Sequence, residues 1–172
     1  IGEGLNAVIV NPVIILGAGD WNSGSTAIFK SAYDEFPWYT EGMSGFVDVA
    51  DVVNAMIALM ESNISAQRFV ISGANLPYRS VFTMIAQAFG KKPPHKRVTA
   101  WMAAIVWRLE AIKSTFTGKS PLLTKETAKT ARAKVRFNNE KLLQAIPGFQ
   151  YAPMEQSIMR ICEELKLKYR LP

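Results

Sequence analysis

The ten residues from Ala7 to Leu16, AVIVNPVIIL, constrain the fold more than any other stretch of the chain. Apart from Asn11-Pro12 they are all apolar, and most are β-branched. Apolar residues at both alternating positions require cover on both faces, the condition met by a parallel sheet with helices on either side. The run predicts a buried strand over 7–16 and an α/β fold. Pro12 fixes φ and removes one ladder donor, so it diverts the chain within that strand. The turn that follows, GAGDWNSG from Gly17 to Gly24, invites comparison with a dinucleotide phosphate loop. That loop needs a third glycine where Asn22 stands, and no long apolar helix follows. The turn is read as something else.

Further along, Ser25 to Phe36 predicts a short helix stopped by Pro37. GFVDVADVVNAMIALMES (45–62) predicts a strand running into a helix. Phe46, Val47 and Val49 form the entry, and Val52, Val53, Met56, Ile57 and Met60 recur at helical spacing. Asp48 is placed to cap that helix, and Asp51 lies in its first turn, where a carboxylate suits the positive end. QRFVISG (67–73) predicts a second strand. Residues 77–90 predict a helix with Ser80 as an internal cap and Gly90 as its stop. The remainder predicts helices over 99–116, 124–134, 139–146 and 153–168, with an extended VRF at 135–137. The connectors are 91–96 and 117–121. No repeat or low-complexity tract interrupts the pattern.

A length of 172 residues fits one ordinary domain or a large piece of a two-part fold, and a hydrophobic share of 49% is enough for a sizeable core. The single cysteine, Cys162, excludes an internal disulfide, and no His/Cys cluster has zinc spacing. A reducing, cytoplasmic setting is expected. Cys162 itself, on a helix with Ile158, Ile161 and Leu165, reads as a buried structural thiol. The longest apolar run, AWMAAIVW at 100–107, falls short of the roughly 20 residues that span a bilayer. Its Trp101 and Trp107 read as packing residues. No signal-peptide pattern opens the chain, and a first residue of Ile1 points to a fragment or a processed product. The only histidine, His95, has no carboxylate or hydroxyl partner nearby in sequence and reads as a surface loop residue.

Charge is unevenly spread. Residues 91–141 carry 13 Lys and Arg against three Glu, a net of +10, whereas residues 1–90 carry three against eight, a net of −5. Such a segment suits an anionic partner or simply a solvated helical face. Aromatic residues are not interleaved with the basic ones beyond Phe116 and Phe137, and no zinc-finger, RRM or helix-turn-helix pattern occurs, so nucleic acid is not expected as a partner.

The order of motifs is more specific than any one of them. NPVIILGAGD is followed by GFVDVADVVNAMIALME, RFVISG, a helix ending AFGKKPP, and finally a segment containing FNNEK. This succession resembles the C-terminal half of extended short-chain dehydrogenase/reductases, the NAD-dependent epimerase/dehydratase group, within its dihydroflavonol-reductase-like branch. The resemblance spans essentially residues 1–172. It implies the last strands of a Rossmann-type sheet plus a smaller, mostly helical substrate-binding domain, with the cofactor-gripping half absent. It implies NAD or NADP as cofactor in the full-length enzyme, and hydride exchange with a carbonyl or alcohol substrate.

In that family the catalytic Tyr-x-x-x-Lys, its helper Ser/Thr and the glycine-rich cofactor turn lie upstream. None of Tyr33, Tyr39, Tyr78, Tyr151 or Tyr169 has Lys four residues on. No catalytic residue is therefore assigned here, and the chain alone is expected to be inactive. By the resemblance, Pro12, Val13 and Ile14 lie beside the nicotinamide. Trp21, Asn22, Ser25, Thr26 and Phe29 line a substrate pocket with the glycine turn, and Phe46 and Val47 approach the same cleft.

Two departures bear on the substrate. Nucleotide-sugar epimerases usually carry Arg just before the F-V-x-V strand and a later Arg-x-Gly-Asp, forks that grip phosphates. Here Met43-Ser44-Gly45 precede the strand, and 108–121 contains nothing like the second motif. A less charged, more apolar substrate is expected. The alternatives are a nucleotide-sugar epimerase or dehydratase that grips phosphate through Arg79 or Lys30, and a non-catalytic interaction module using the basic 91–141 surface. The strand at 7–16 expects parallel neighbours from the absent half, so an exposed edge, a homodimer or an element-swapped oligomer is expected.

Overall fold

The structure, a computed structural model, describes residues 4, 6–99 and 131–172. The apolar run forms two strands rather than one: β1 (Ile9–Pro12) and β2 (Ile14–Leu16). β1 pairs in parallel with β5 (Arg68–Ile71), with Ile9 opposite Arg68 and Pro12 opposite Ile71. Val13 N–H still donates to the Ile71 carbonyl at 3.1 Å, after which the chain leaves β5. β2 then pairs in parallel with β4 (Met43–Asp48), with Ile14 opposite Phe46. The break falls at Val13, directly after Pro12, whose ring removes a donor and fixes the backbone at the end of β1.

The expectation of burial on both faces is corrected for β1. Val8 and Val10 pack toward helix α2 (Val49–Met60), in a cluster with Val52, Ala55 and Leu59. Ile9, Asn11 and Pro12 are exposed, because among the described residues nothing covers them.

β4 also pairs antiparallel with β6 (Ala74–Pro77), giving the order β2-β4-β6. A two-residue parallel pair joins β3 (Trp38–Tyr39) to β7 (Lys96–Arg97). It begins at the last residue of the 91–96 stretch that reads as a connector, where the Pro37 carbonyl accepts from both His95 N–H and Lys96 N–H. His95 is exposed, as its loop position implies.

Adjacent residues of β4 feed two cores. Phe46 faces the cluster that contains Leu16, Trp21, Phe29, Ile85, Ile161 and Leu165, built with helices α1 (Thr26–Tyr33), α3 (Tyr78–Ala88) and α5 (Met154–Tyr169). Val47 faces the cluster of Val52, Leu59, Phe69, Ile71 and Leu142, built with α2 and α4 (Glu140–Ala145). The period of two along a strand sends neighbours to opposite sides. Cys162 is fully buried in the first core, and burial pushes its thiol up to about 12. It is a packing residue.

Asp48 caps α2, its carboxylate accepting from Ala50 N–H at 2.9 Å. α3 ends as expected at Gly90, whose φ of +67° suits glycine. Ser80 does not cap α3, which begins earlier. Pro77 precedes the helix, and Tyr78 N–H donates to the Gly42 carbonyl, so backbone meets the need a side-chain cap would serve. The stretch after residue 130 runs along β4: Met43 N–H donates to Ala133 and Val135 N–H to Met43. Residues 131–134 are therefore a turn and a bridge, not the end of a helix. Gly42 permits that approach, since a Cβ there would lie 2.2 Å from the Ala131 carbonyl oxygen. The helix expected over 124–130, nearly all of that over 99–116, and Trp101 and Trp107 lie outside the described residues. Among the described residues no helix is long and apolar enough to cross a membrane.

Candidate functional site

Ligands of parallel α/β sheets gather beyond the carboxyl ends of the strands, where the connecting loops leave room. Here β1 and β5 end side by side at Pro12 and Ile71, and β2 runs on into the glycine turn. Residues 7, 9 and 13 of the first segment direct backbone groups at β5: Ala7 accepts from Ala66, Ile9 donates to Gln67, and Val13 donates to Ile71. The alternation of a strand then turns the backbone groups of Val10 and the carbonyl of Pro12 to the opposite edge. Pro12 is exposed there with no N–H of its own. Val13 and Ile14 are half-buried and serve different cores, Val13 on the α2 side and Ile14 on the α1/α3/α5 side.

Behind Val13 the packing is tight. A Cβ at Gly45 would come within 2.8 Å of the Phe137 ring and Ser72 Oγ and 2.9 Å of Val13 Cγ1. Two asparagines fasten this corner. Asn75 is doubly bonded to the backbone of Phe137, accepting from its N–H at 2.8 Å and donating to its carbonyl at 2.9 Å. Asn139, within FNNEK, donates to the Ser72 carbonyl at 2.5 Å. Ser72 Oγ is fully buried and has no partner among the described residues. Gly45→Ala is expected to push Val13 and Phe137 apart at a cost of about 1–3 kcal/mol. Urea denaturation checks this, and an unchanged midpoint would show that the corner is loose.

The turn that follows β2 is held by side chains. Ser25 Oγ donates to the Ile15 carbonyl, and Thr26 Oγ1 donates to the Gly17 carbonyl at 3.1 Å. Asp20 accepts from Asn22 N–H at 3.2 Å. The Ser23 hydroxyl and Asn22 N–H, with Lys168 nearby, hold its carboxyl below the usual range. Asn22 is exposed and Ser25 half-buried, so both can meet a ligand. Trp21, Thr26, Phe29 and Phe46 are buried: their side chains form the packing behind the turn rather than an open wall. Trp21 lies edge-on to Tyr33 and Phe89 and tilted against Tyr169, with centroids 5.1–6.2 Å away. Of the sequence set, Pro12 and Asn22 are exposed, Val13, Ile14 and Ser25 are half-buried, and the rest lie inside.

A charge network built on two buried aspartates stands at the end of β4, where Asp48 lies opposite Leu16 of β2. Asp48 accepts from Arg160 of α5 on both carboxylate oxygens at 2.7 Å, and Arg160 also pairs with Glu164. Burial works against the Asp48 charge, but Arg160, the Ala50 N–H and Ser157 outweigh it and hold the carboxyl below its ordinary value. Asp51 accepts from Ala152 N–H at 3.1 Å, yet burial wins and raises its carboxyl, with Asp48 adding to the rise. These groups fasten helices to the sheet. Of the cations weighed as phosphate grips, Lys30 is paired with Asp34 at 2.6 Å and Arg79 stacks over the Tyr39 ring at 4.5 Å. Among the described residues no group of three or more His, Cys, Asp or Glu could hold a metal ion.

Sequence reasoning missed Lys168 and Tyr169. Both reach the glycine turn from the last turn of α5, and nothing in the local pattern connects positions about 150 residues apart.

No protein-family model and no curated protein matches the sequence. Solved structures do. A nucleoside-diphosphate-sugar epimerase from Pseudomonas aeruginosa superposes with a TM-score of 0.74 at 17% identity, over 97% of this chain and 50% of that one. A human epimerase family protein solved with NADPH gives 0.72 at 13% identity, over 96% and 51%. A UDP-glucose 4-epimerase from Thermotoga maritima, solved with UDP-glucose, gives 0.66 at 14% identity, over 98% and 48%. At these identities the likeness is one of fold, and this chain spans about half the length of the chains it matches. The α/β fold seen here is that of NAD-dependent epimerase/dehydratase structures, over about half of their length.

Proposed function

We propose that this chain forms the substrate-side part of an NAD(P)-dependent enzyme that exchanges hydride with a carbonyl or alcohol. The observation that carries this reading is Pro12: exposed, ending a parallel strand, with its carbonyl on the free edge of β1. The residues fit a nicotinamide. A free carbonyl with no competing N–H can accept from a carboxamide, and Val13 and Ile14 are held rigidly behind it by two separate cores. When bound, the nicotinamide supplies the hydride donor or acceptor. The chain's own part is to place Pro12, Val13 and Ile14 against the ring and to present Asn22 and Ser25 to the substrate. In this reading the cofactor-side half adds its neighbouring strand along the free edge of β1 before Pro12, which leaves the Pro12 carbonyl to the carboxamide, and that half supplies the proton-transferring group.

An apolar substrate is supported by the corner before Phe46. Gly45 is filled in by Phe137, Ser72 and Val13, so no phosphate-gripping side chain stands there. The engagement of Lys30 and Arg79 with Asp34 and Tyr39 supports the same choice. The second reading, a nucleotide-sugar epimerase, is favoured by the likeness to the two sugar-nucleotide epimerases above.

Full-length protein supplied with NADPH, and with NADH, separates the readings. Acetophenone is expected to drive coenzyme oxidation, followed by absorbance, while UDP-glucose is left unchanged. Conversion of UDP-glucose to its epimer without net coenzyme turnover would select the second reading. Absence of any nicotinamide binding would sink both.

A further inference from the structure

The glycine turn makes few hydrogen bonds within itself. Its carbonyls at Ala18 and Gly19 point at the last turn of α5, where one ammonium, Lys168 Nζ, donates to both at 3.1 and 2.8 Å. The next residue completes the contact: Trp21 N–H donates to Tyr169 Oη at 2.8 Å, and that hydroxyl lies 3.4 Å from the Gly19 carbonyl. The tyrosine ring is packed against Trp21.

α5 is itself firmly set at this end. Leu165 is buried in the first core, Arg170 turns the chain with φ of +52°, and Leu171 N–H closes back on the Lys166 carbonyl at 2.9 Å. Lys168 and Tyr169 are therefore presented from a fixed helix end, while the turn they grip depends on side chains for its carbonyl partners.

We propose that Lys168 and Tyr169 are positioning residues that set the shape of the turn at 18–21 and, through it, the place of Asn22 and Ser25. The consequence for substrate rests on the pocket reading above; the latch itself does not. A turn bonded mainly by side chains opens locally at low cost, so its order depends on those few donors. Lys168 suits the task because an ammonium offers three donors on a flexible stem and can serve two carbonyls at once. Tyr169 adds a rigid ring whose hydroxyl accepts from Trp21 N–H.

Amide hydrogen exchange read by NMR on the full chain tests the proposal without any catalysis. Tyr169→Phe keeps the ring and removes the hydroxyl. The Trp21 amide should shift upfield and exchange roughly tenfold faster, the scale of one lost hydrogen bond, while amides of β4 keep their rates. Lys168→Met should speed exchange across the turn, and Lys168→Arg, which can also serve two carbonyls, should restore the parent rates. Unchanged exchange at Trp21 in Tyr169→Phe, or equal behaviour of the Met and Arg variants, overturns the latch. A uniform acceleration that includes β4 overturns it too, because it would mark general destabilisation. Failure of the pocket reading would leave all of these rates as expected.

Discussion

Replacing Phe46 by alanine should cost about 3–5 kcal/mol, the range for a fully buried phenyl ring whose site cannot collapse. Phe46 has no exposed surface and meets the Tyr78 ring edge-on, with centroids 5.6 Å apart. Its backbone is pinned on both sides, opposite Ile14 in β2 and opposite Ala74 in β6, so neighbouring strands cannot close over the cavity. For a chain of this length each kcal/mol moves the midpoint by roughly 2–4 °C, so a fall of about 10 °C is expected in a thermal melt. Phe46→Leu, which preserves most of the volume, should cost under about 1.5 kcal/mol. This contrast separates a core ring from one lining a cleft. A cleft residue would tolerate alanine with little loss of stability and show itself in substrate affinity. An alanine variant that melts within about 2 °C of the parent would place the ring outside the core.

Phe46 also shows where reading the sequence stops. The strand-to-helix passage at 45–62 was legible because two signals coincide, an apolar period changing from two to 3.6 and an aspartate at the junction. Asp48 caps α2 as that pattern predicts. Gly90 was legible for the same kind of reason, a helix stop that needs positive φ. By contrast β6 was not, since Ala74 to Pro77 neither alternates nor favours strand; it is extended because β4 offers a free edge. β3 and β7 exist through backbone bonds to Pro37 that no side-chain pattern announces.

For the candidate site, the order of motifs points to Pro12 and the glycine turn but cannot say which side chains face outward. Trp21 and Asn22 are neighbours in a turn, where no periodicity assigns sides, and the structure buries one and exposes the other. Lys168 and Tyr169 lay further out of reach, because their contact with the turn is a product of how α5 packs on α3 and β4.

The second large effect is expected at Arg160. Arg160→Met leaves Asp48, only 3% exposed, with its Ala50 N–H but without the cation that offsets burial. Breaking a fully buried pair costs about 3–5 kcal/mol by stranding one charge. Arg160 is 43% exposed, so solvent screens part of the interaction and about 2–3 kcal/mol is expected here. The dependence on pH carries the sign. In the parent, Asp48 titrates below its unfolded value, so its contribution is present above the ordinary carboxylate range and is lost only as pH falls through the lowered value. Without Arg160 the carboxyl loses the largest influence that lowers it and titrates higher than in the parent. The deficit of the variant relative to the parent should then shrink as pH falls through the ordinary carboxylate range. Asp51 is shifted the other way in the parent: burial raises its carboxyl, so the fold gains stability from it as pH falls, and Asp51→Asn should remove that gain. Urea denaturation at about pH 7 and about pH 5 reads the difference. Asp48→Asn in the Arg160→Met background should recover most of the loss at neutral pH, because the amide carries no charge to strand. A double variant no more stable than Arg160→Met would show that the guanidinium acts through packing of its stem rather than through the charge on Asp48.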